Sequence, residues 1–262
     1  MNRIDQKFIE LKKAKKAGFI PYVTAGDPDP KTSERIILAL ANAGADVIEV
    51  GIPFSDPLAD GPIIQAAMQR ALEAGMTVGK TLSLIAHVRA QTQTPIVLFS
   101  YLNPILKYGM KRFANDAAAA GADGVLALDM PPEESAEYVR IMKKHGLSTV
   151  FLVAPTSTDA RVRRIARLSS GFIYCVSRTG VTGLTKGKFD EVERTVARIR
   201  EHSAAPVAVG FGVSHRDDVR QIGRLADAVV VGSAIVRTAA EHRDDPVPHI
   251  QRFVKGLIHE KK

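Results

Sequence analysis

The sequence predicts an α/β protein folded as one (β/α)8 (TIM) barrel, on three observations: eight short apolar runs, helix-compatible stretches between them, and a unit length to match. The runs are Phe19–Thr24, Val47–Gly51, Ile96–Tyr101, Gly124–Asp129, Thr149–Ala154, Phe172–Ser177, Val207–Phe211 and Ala228–Gly232. They are continuous rather than alternating, as expected of parallel strands covered on both faces. The stretches between them carry helical spacing, as in Ile36, Ile37, Ala39, Leu40 and in Val139, Ile141, Met142. Dividing 262 residues by eight gives about 33 per unit, the size of a strand with its returning helix.

Junctions between units support the same architecture. Ala43-Gly44-Ala45-Asp46 and Ala120-Gly121-Ala122-Asp123 each close a helix and open a strand, and Gly146 and Gly171 mark similar sharp turns. Glycine there takes the left-handed conformation that ends a helix. A doubly wound open sheet is the competing architecture. It is disfavoured because the first strand leads into Thr24-Ala25-Gly26-Asp27-Pro28 rather than Gly-x-Gly-x-x-Gly. No Ser/Gly linker or shift in composition divides the chain, so residues 1–262 read as a single domain with an N-terminal helix.

Composition excludes several classes. Hydrophobic residues at 45% and charged residues at 24% exclude general disorder. No apolar run approaches the ~20 residues that cross a bilayer, and Met1–Glu10 lacks the features of a secretory or transit segment. A lone cysteine, Cys175, excludes an internal disulfide framework or a cysteine-cluster metal site. A cytoplasmic protein is expected. The 36 basic residues exceed the 28 acidic ones, giving a net charge of +8. Lys12, Lys13, Lys15, Lys16, Lys261 and Lys262 have no interleaved aromatics, so they read as a solvated helix face and tail rather than a nucleic-acid surface.

In this barrel the chemistry belongs to the carboxyl ends of the strands. The second strand carries Glu49 in an apolar run, aligned by alternation with Val47 and Gly51 toward the interior. An ionised carboxylate there loses several kcal/mol of solvation unless paired. None of the eight runs holds an arginine or lysine to pair with it, so Glu49 reads as an acid–base group with a raised pKa. Asp60 follows in a loop rich in proline and carboxylate. It is either a helix cap near Pro62 or a second carboxylate facing Glu49, and spacing leaves both open.

The seventh and eighth runs end in Gly210-Phe211-Gly212-Val213-Ser214 and Val231-Gly232-Ser233-Ala234. Glycine turns opening helices at these two positions suit phosphate binding. Ser177-Arg178-Thr179-Gly180-Val181-Thr182-Gly183 reads as a donor-rich loop able to close over a ligand. Tyr22, Phe54, Phe99, Tyr101, Leu126, Tyr174 and Phe211 would form apolar walls for a flat hydrophobic moiety. A Schiff-base aldolase needs a lysine at a strand end, and none is there; Lys107, Lys186 and Lys188 are expected in loops. The seven histidines fall in helices or their ends, away from any metal-binding convergence. Carboxylate chemistry without a metal or cofactor is the result.

These stretches resemble the tryptophan synthase alpha chain family. The resemblance rests on residues 19–27, the long second-strand motif from Ile48 to Gly61, Tyr101-Leu-Asn-Pro104, Val176 to Gly183, Gly210 to Ser214 and Val231 to Val236. It implies retro-aldol cleavage of indole-3-glycerol phosphate, with Glu49 as the proton-transferring group and Asp60 holding the indole N–H. It further implies that Tyr22, Tyr101, Tyr174 and Phe211 contact substrate. Thr182, Gly183, Gly212, Gly232 and Ser233 would serve the closing loop and the phosphate. The family pairs with a beta chain in an alpha2-beta2 heterotetramer, pyridoxal phosphate residing on the beta chain alone. Phe54–Asp60 and Asn103-Pro104 would lie at that interface.

Two departures from the family's sequence stand out, Ser100 before Tyr101 and Met130 after the fourth strand. The Ser100 hydroxyl either alters the indole wall or faces a helix. Three other functions remain open on the same residues: a stand-alone lyase, a phosphosugar isomerase or epimerase, and a largely non-catalytic activator of the beta chain.

Overall fold

The computed structural model describes residues 1–176, 186–210 and 212–258. The first helix, α1 (Arg3–Ala14), precedes β1 (Gly18–Thr24), α2 (Pro30–Asn42) and β2 (Ile48–Gly51). Two helices, α3 (Pro62–Glu73) and α4 (Val78–Arg89), lead to β3 (Ile96–Ser100). Two more, α5 (Leu102–Tyr108) and α6 (Met110–Ala119), lead to β4 (Gly124–Ala127). Then come α7 (Ala136–Lys144), β5 (Ser148–Val150), β6 (Leu152–Val153), α8 (Asp159–Leu168), β7 (Ile173–Val176) and α9 (Lys186–His202). The chain continues through β8 (Val207–Gly210), α10 (Arg216–Leu225), β9 (Ala228–Val231), α11 (Ser233–Glu241) and α12 (Pro246–Ile258).

The strands run parallel in the order β5-β4-β3-β2-β1-β9-β8-β7-β6. The two ends of that ladder, β5 and β6, are consecutive pieces of one segment separated by Phe151, so the sheet closes into a barrel. The fifth apolar run is thus one strand serving two neighbours, β5 pairing with β4 and β6 with β7. Lys107, Lys186 and Lys188, expected in loops, lie instead in α5 and α9. Pro104 sits in the first turn of α5, where its missing N–H costs nothing, so it does not interrupt the helix. Lysine is itself a good helix former, which suits the start of α9.

Alternation along each strand divides the core in two. Ile48, Val50, Ile96, Leu98, Val207, Val209, Val229 and Val231 join the outer layer beneath the helices. Val47, Val97, Phe99, Ala208, Ala228 and Val230 point inward and pack on one another. The inner layer is closed at the amino end by α1, whose Ile4, Phe8 and Leu11 are buried against it. Phe8 meets Phe172 with ring centroids 5.8 Å apart. The Asn2 side chain caps α1 and donates to the Asp123 carbonyl and to Ser148 Oγ, each at 2.8 Å.

The recurring aspartates have a common task at this end. Asp46, just before β2, accepts the Phe19 amide of β1 at 2.9 Å. Asp123, before β4, accepts the Ile96 amide of β3 at 2.9 Å. Asp227, before β9, accepts the Val207 amide of β8 at 2.9 Å. Each carboxylate satisfies an amide in the first two residues of an adjacent strand. Asp123 also takes Arg3 at 3.0 Å and Arg89 at 2.8 Å while 3% exposed. Asp123→Ala would strand a half-buried Arg89, and we expect a loss of about 3 kcal/mol in urea unfolding.

Candidate active site

Glu49 takes a position on β2 that alternation assigns to the inner layer. Its register partners are Tyr22 on β1 and Val97 on β3, both members of that layer. The side chain is buried, and neither carboxyl oxygen has a hydrogen-bond partner among the described residues. Burial alone pushes the Glu49 carboxyl up to about 8, because the anion has lost water and gained nothing in return.

Asp60 sits in a different environment. Its Oδ2 accepts from the Tyr101 hydroxyl at 2.8 Å, and that hydroxyl in turn accepts the Ala59 amide at 3.0 Å. Burial raises the Asp60 pKa, and the bond from Tyr101 opposes the rise. Gln65 fixes the loop from the far side, donating to the Asp60 carbonyl at 2.8 Å. The N-cap of α3 is Gly61, with Pro62 in the first turn. Asp60 is therefore not the cap that its spacing also allowed; its side chain is turned to Tyr101.

Glu49 and Asp60 line one cavity of about 320 Å³. Tyr22, Phe99, Tyr174, Ile63 and Ile64 supply its apolar wall, and Gly212, Gly232 and Ser233 line it beyond β8 and β9. The aromatic wall is held by contacts between strands. Tyr22 packs edge-on to Phe99 at 5.4 Å, its hydroxyl 3.3 Å from Thr24 Oγ1. Both inward tyrosines lie over a glycine of the next strand. A Cβ at Gly51 would overlap the Tyr22 hydroxyl, and a Cβ at Gly210 would overlap that of Tyr174. Gly212 has φ 64, in the left-handed region, so glycine fits its turn without strain.

Eight of the residues singled out in the sequence thus meet here: Tyr22, Glu49, Asp60, Phe99, Tyr174, Gly212, Gly232 and Ser233. Tyr101 does not line the cavity; it stands behind Asp60, packed on Phe54 at 5.2 Å. Leu126 lies in the inner layer rather than in the cavity lining. Thr182, Gly183 and Phe211 lie outside the described residues. The Ser100 hydroxyl is buried and donates to the Tyr101 carbonyl at 2.8 Å, and Met130 packs in the outer layer, so neither departure alters the wall. Ile63, Ile64 and Arg237 line the cavity without having been singled out. Only their place in the first turns after site loops could have signalled them.

The unpaired carboxyl has a consequence for stability. Its folded pKa of about 8 exceeds the ordinary 4.5, so the folded state holds the proton more tightly and the group lowers stability as pH rises between those values. Glu49→Gln removes the burden. Its melting temperature should exceed the native value by a margin that widens from pH 5 to pH 8 and then levels, corresponding to a few kcal/mol. Paired thermal scans across that range measure it.

Comparison with known proteins places these features. The family model described as tryptophan synthase alpha chain matches residues 8–260. The tryptophan synthase alpha chain of Geobacter sulfurreducens is 51% identical over 246 residues, 92% of this chain and 93% of that one. Among solved structures, tryptophan synthase subunit alpha from Legionella pneumophila superposes with a TM-score of 0.91 at 37% identity, covering 98% of this chain and 97% of that one. A chain of the tryptophan synthase complex from Pyrococcus furiosus gives 0.86 at 37% identity, covering 94% and 99%.

Proposed function

The chain belongs to the tryptophan synthase alpha chain family, and on that premise we propose how its own residues perform the family's reaction. It is a carbon–carbon lyase of tryptophan biosynthesis, cleaving indole-3-glycerol phosphate to indole and glyceraldehyde 3-phosphate. The observation that carries the assignment of roles is the Glu49 carboxyl, buried on the cavity wall with both oxygens unpartnered among the described residues.

Cleavage requires the indole to surrender its aromaticity for an instant. Glu49, protonated at neutral pH, delivers its proton to C3 of the indole and leaves a cation centred on N1. The bond between C3 and the side-chain carbinol carbon then breaks, its electron pair restoring the indole. The carbinol hydroxyl becomes the aldehyde of glyceraldehyde 3-phosphate, and its proton returns to Glu49, which ends as it began. Asp60 accepts the indole N–H and stabilises the charge at N1. Tyr101 holds Asp60 in place. Tyr22, Phe99 and Tyr174 enclose the ring, and Gly212, Gly232 and Ser233 receive the phosphate. Thr182 and Gly183 are assigned to positioning Asp60 and meeting the phosphate, and Phe211 to contacting the substrate.

We further propose that residues 1–262 act as one domain in the cytoplasm, without a cofactor of their own. The beta chain is the partner, in an alpha2-beta2 assembly, and carries pyridoxal phosphate. The docking surface is the rim that bears Leu58 and Leu106, respectively 90% and 51% exposed, beside the Phe54–Asp60 loop and Asn103-Pro104. Large apolar side chains so exposed suit a protein partner.

Indole release from indole-3-glycerol phosphate tests the roles. Glu49→Gln should fold and lose turnover by about 10²–10⁴-fold, while native turnover near that of the variant would overturn the assignment. For native protein, kcat/KM should fall as pH rises through about 8, where Glu49 loses the proton it must donate. The acid limb belongs to Asp60 and should lie above the ordinary aspartate range. Adding a beta chain should stimulate native turnover, and Leu58→Asp should weaken that stimulation at least several-fold while leaving basal turnover intact.

A further inference from the structure

We propose that Arg237 is a phosphate-positioning residue, supplying the cation that orients and retains the anionic end of the substrate. The proposal rests on the lyase reading above and extends it to a side chain that the sequence did not single out.

The described residues lining the cavity carry three charged side chains: Glu49, Asp60 and Arg237. Without Arg237 every charged group there would be a carboxyl, and a phosphate dianion would be repelled by whatever negative charge they carry. Arg237 lies on α11 four residues after Ser233, one turn from the helix start. Side chains on a helix lean toward its N-terminus, so the guanidinium is directed back over the turn formed by Gly232 and Ser233. Arg237 is exposed, and no hydrogen bond or ion pair engages it among the described residues. This placement is unfavourable in isolation. The guanidinium faces the positive end of the helix, and α11 has no acidic residue in its first turn to offset it. An anion between the two converts that repulsion into two attractions.

The neighbouring turn does not offer the same resource. The two amides just before α10, Ser214 at 3.3 Å and His215 at 3.2 Å, already donate to the Asp218 carboxylate. The first turn of α10 carries Asp217 and Asp218, which set negative charge against that helix end from within its own chain. The α11 end, whose first amides of Ser233 and Ala234 precede any helical acceptor, is left with Arg237 as its side-chain complement. The guanidinium presents a planar fork of donors suited to phosphate oxygens.

Full-length native protein, Arg237→Ala, Arg237→Gln and Arg237→Lys are compared by steady-state kinetics, with circular dichroism confirming that each folds. We expect Arg237→Ala and Arg237→Gln to raise KM for indole-3-glycerol phosphate about tenfold with kcat within twofold of native. Inhibition by inorganic phosphate should weaken in proportion. In the reverse direction KM should rise for glyceraldehyde 3-phosphate and stay constant for indole, and Arg237→Lys should recover part of the loss. Native KM and native phosphate inhibition in Arg237→Ala would overturn the proposal, as would a loss confined to kcat. Absence of indole release from the native chain would instead overturn the lyase reading, and inorganic phosphate binding by calorimetry would still separate native protein from Arg237→Ala.

Discussion

A carboxyl group buried without a partner is the constraint on which this structure turns. Burial of Glu49 is tolerated because the group can hold its proton, and it holds it because nothing nearby stabilises the anion. The surroundings are built to keep that true. The strand residues beside it are Tyr22 and Val97, and the eight apolar runs contain no lysine or arginine. One cation on an adjacent inward position would pair with Glu49, lower its pKa and end its use as an acid at neutral pH. The apolar barrel interior is therefore both the stabilising core and the device that tunes the proton donor.

That constraint is also why the sequence disclosed so much. A glutamate between isoleucine and valine in a short apolar run has few structural explanations, and the absence of cations from the strands removes the commonest. The strands were legible because parallel strands covered on both faces must be continuously apolar. Other features were hidden for identifiable reasons. Asp60 was ambiguous because its partner, Tyr101, lies 41 residues away, and no local pattern encodes that bond. The division of the fifth strand at Phe151 arises from barrel closure, a property of the whole sheet. Arg237 left no trace, since an arginine on an exposed helix face has the same local signature whether it meets a ligand or solvent.

The two ends of the barrel divide stability from chemistry. At the amino end carboxylates are fully engaged: Asp46, Asp123 and Asp227 each accept a strand amide, and Asp123 takes two arginines as well. At the carboxyl end the two carboxyls that line the cavity are less satisfied: Asp60 accepts one side-chain bond, from Tyr101, and Glu49 accepts none among the described residues. The same residue type serves opposite purposes because its free energy depends on what satisfies it. A satisfied carboxylate fixes two strands, and an unsatisfied one stores a tendency to take up and release protons. The Ala-Gly-Ala-Asp repeat reads from this as a structural device, with glycine turning the chain so that the aspartate reaches across to the preceding strand.

The distribution of charge along the cavity fixes the direction in which a substrate can lie. One region is aromatic and aliphatic, with a largely neutral Glu49 and an Asp60 tied to Tyr101; the other is formed by backbone turns at β8 and β9 with Arg237 above them. An amphiphile with a flat apolar ring and a phosphate meets two unequal alternatives. Reversed, it would set a dianion against carboxyl groups and cover unsatisfied amides with hydrocarbon, incurring desolvation at both ends. Aligned, each end replaces water with matched partners. Orientation is therefore settled before any proton moves, and the indole C3 is brought to the one acid in the cavity that has no other partner among the described residues. Binding energy collected at the phosphate is thereby used to position a reaction at the opposite end of the molecule, where Glu49 alone would supply little affinity.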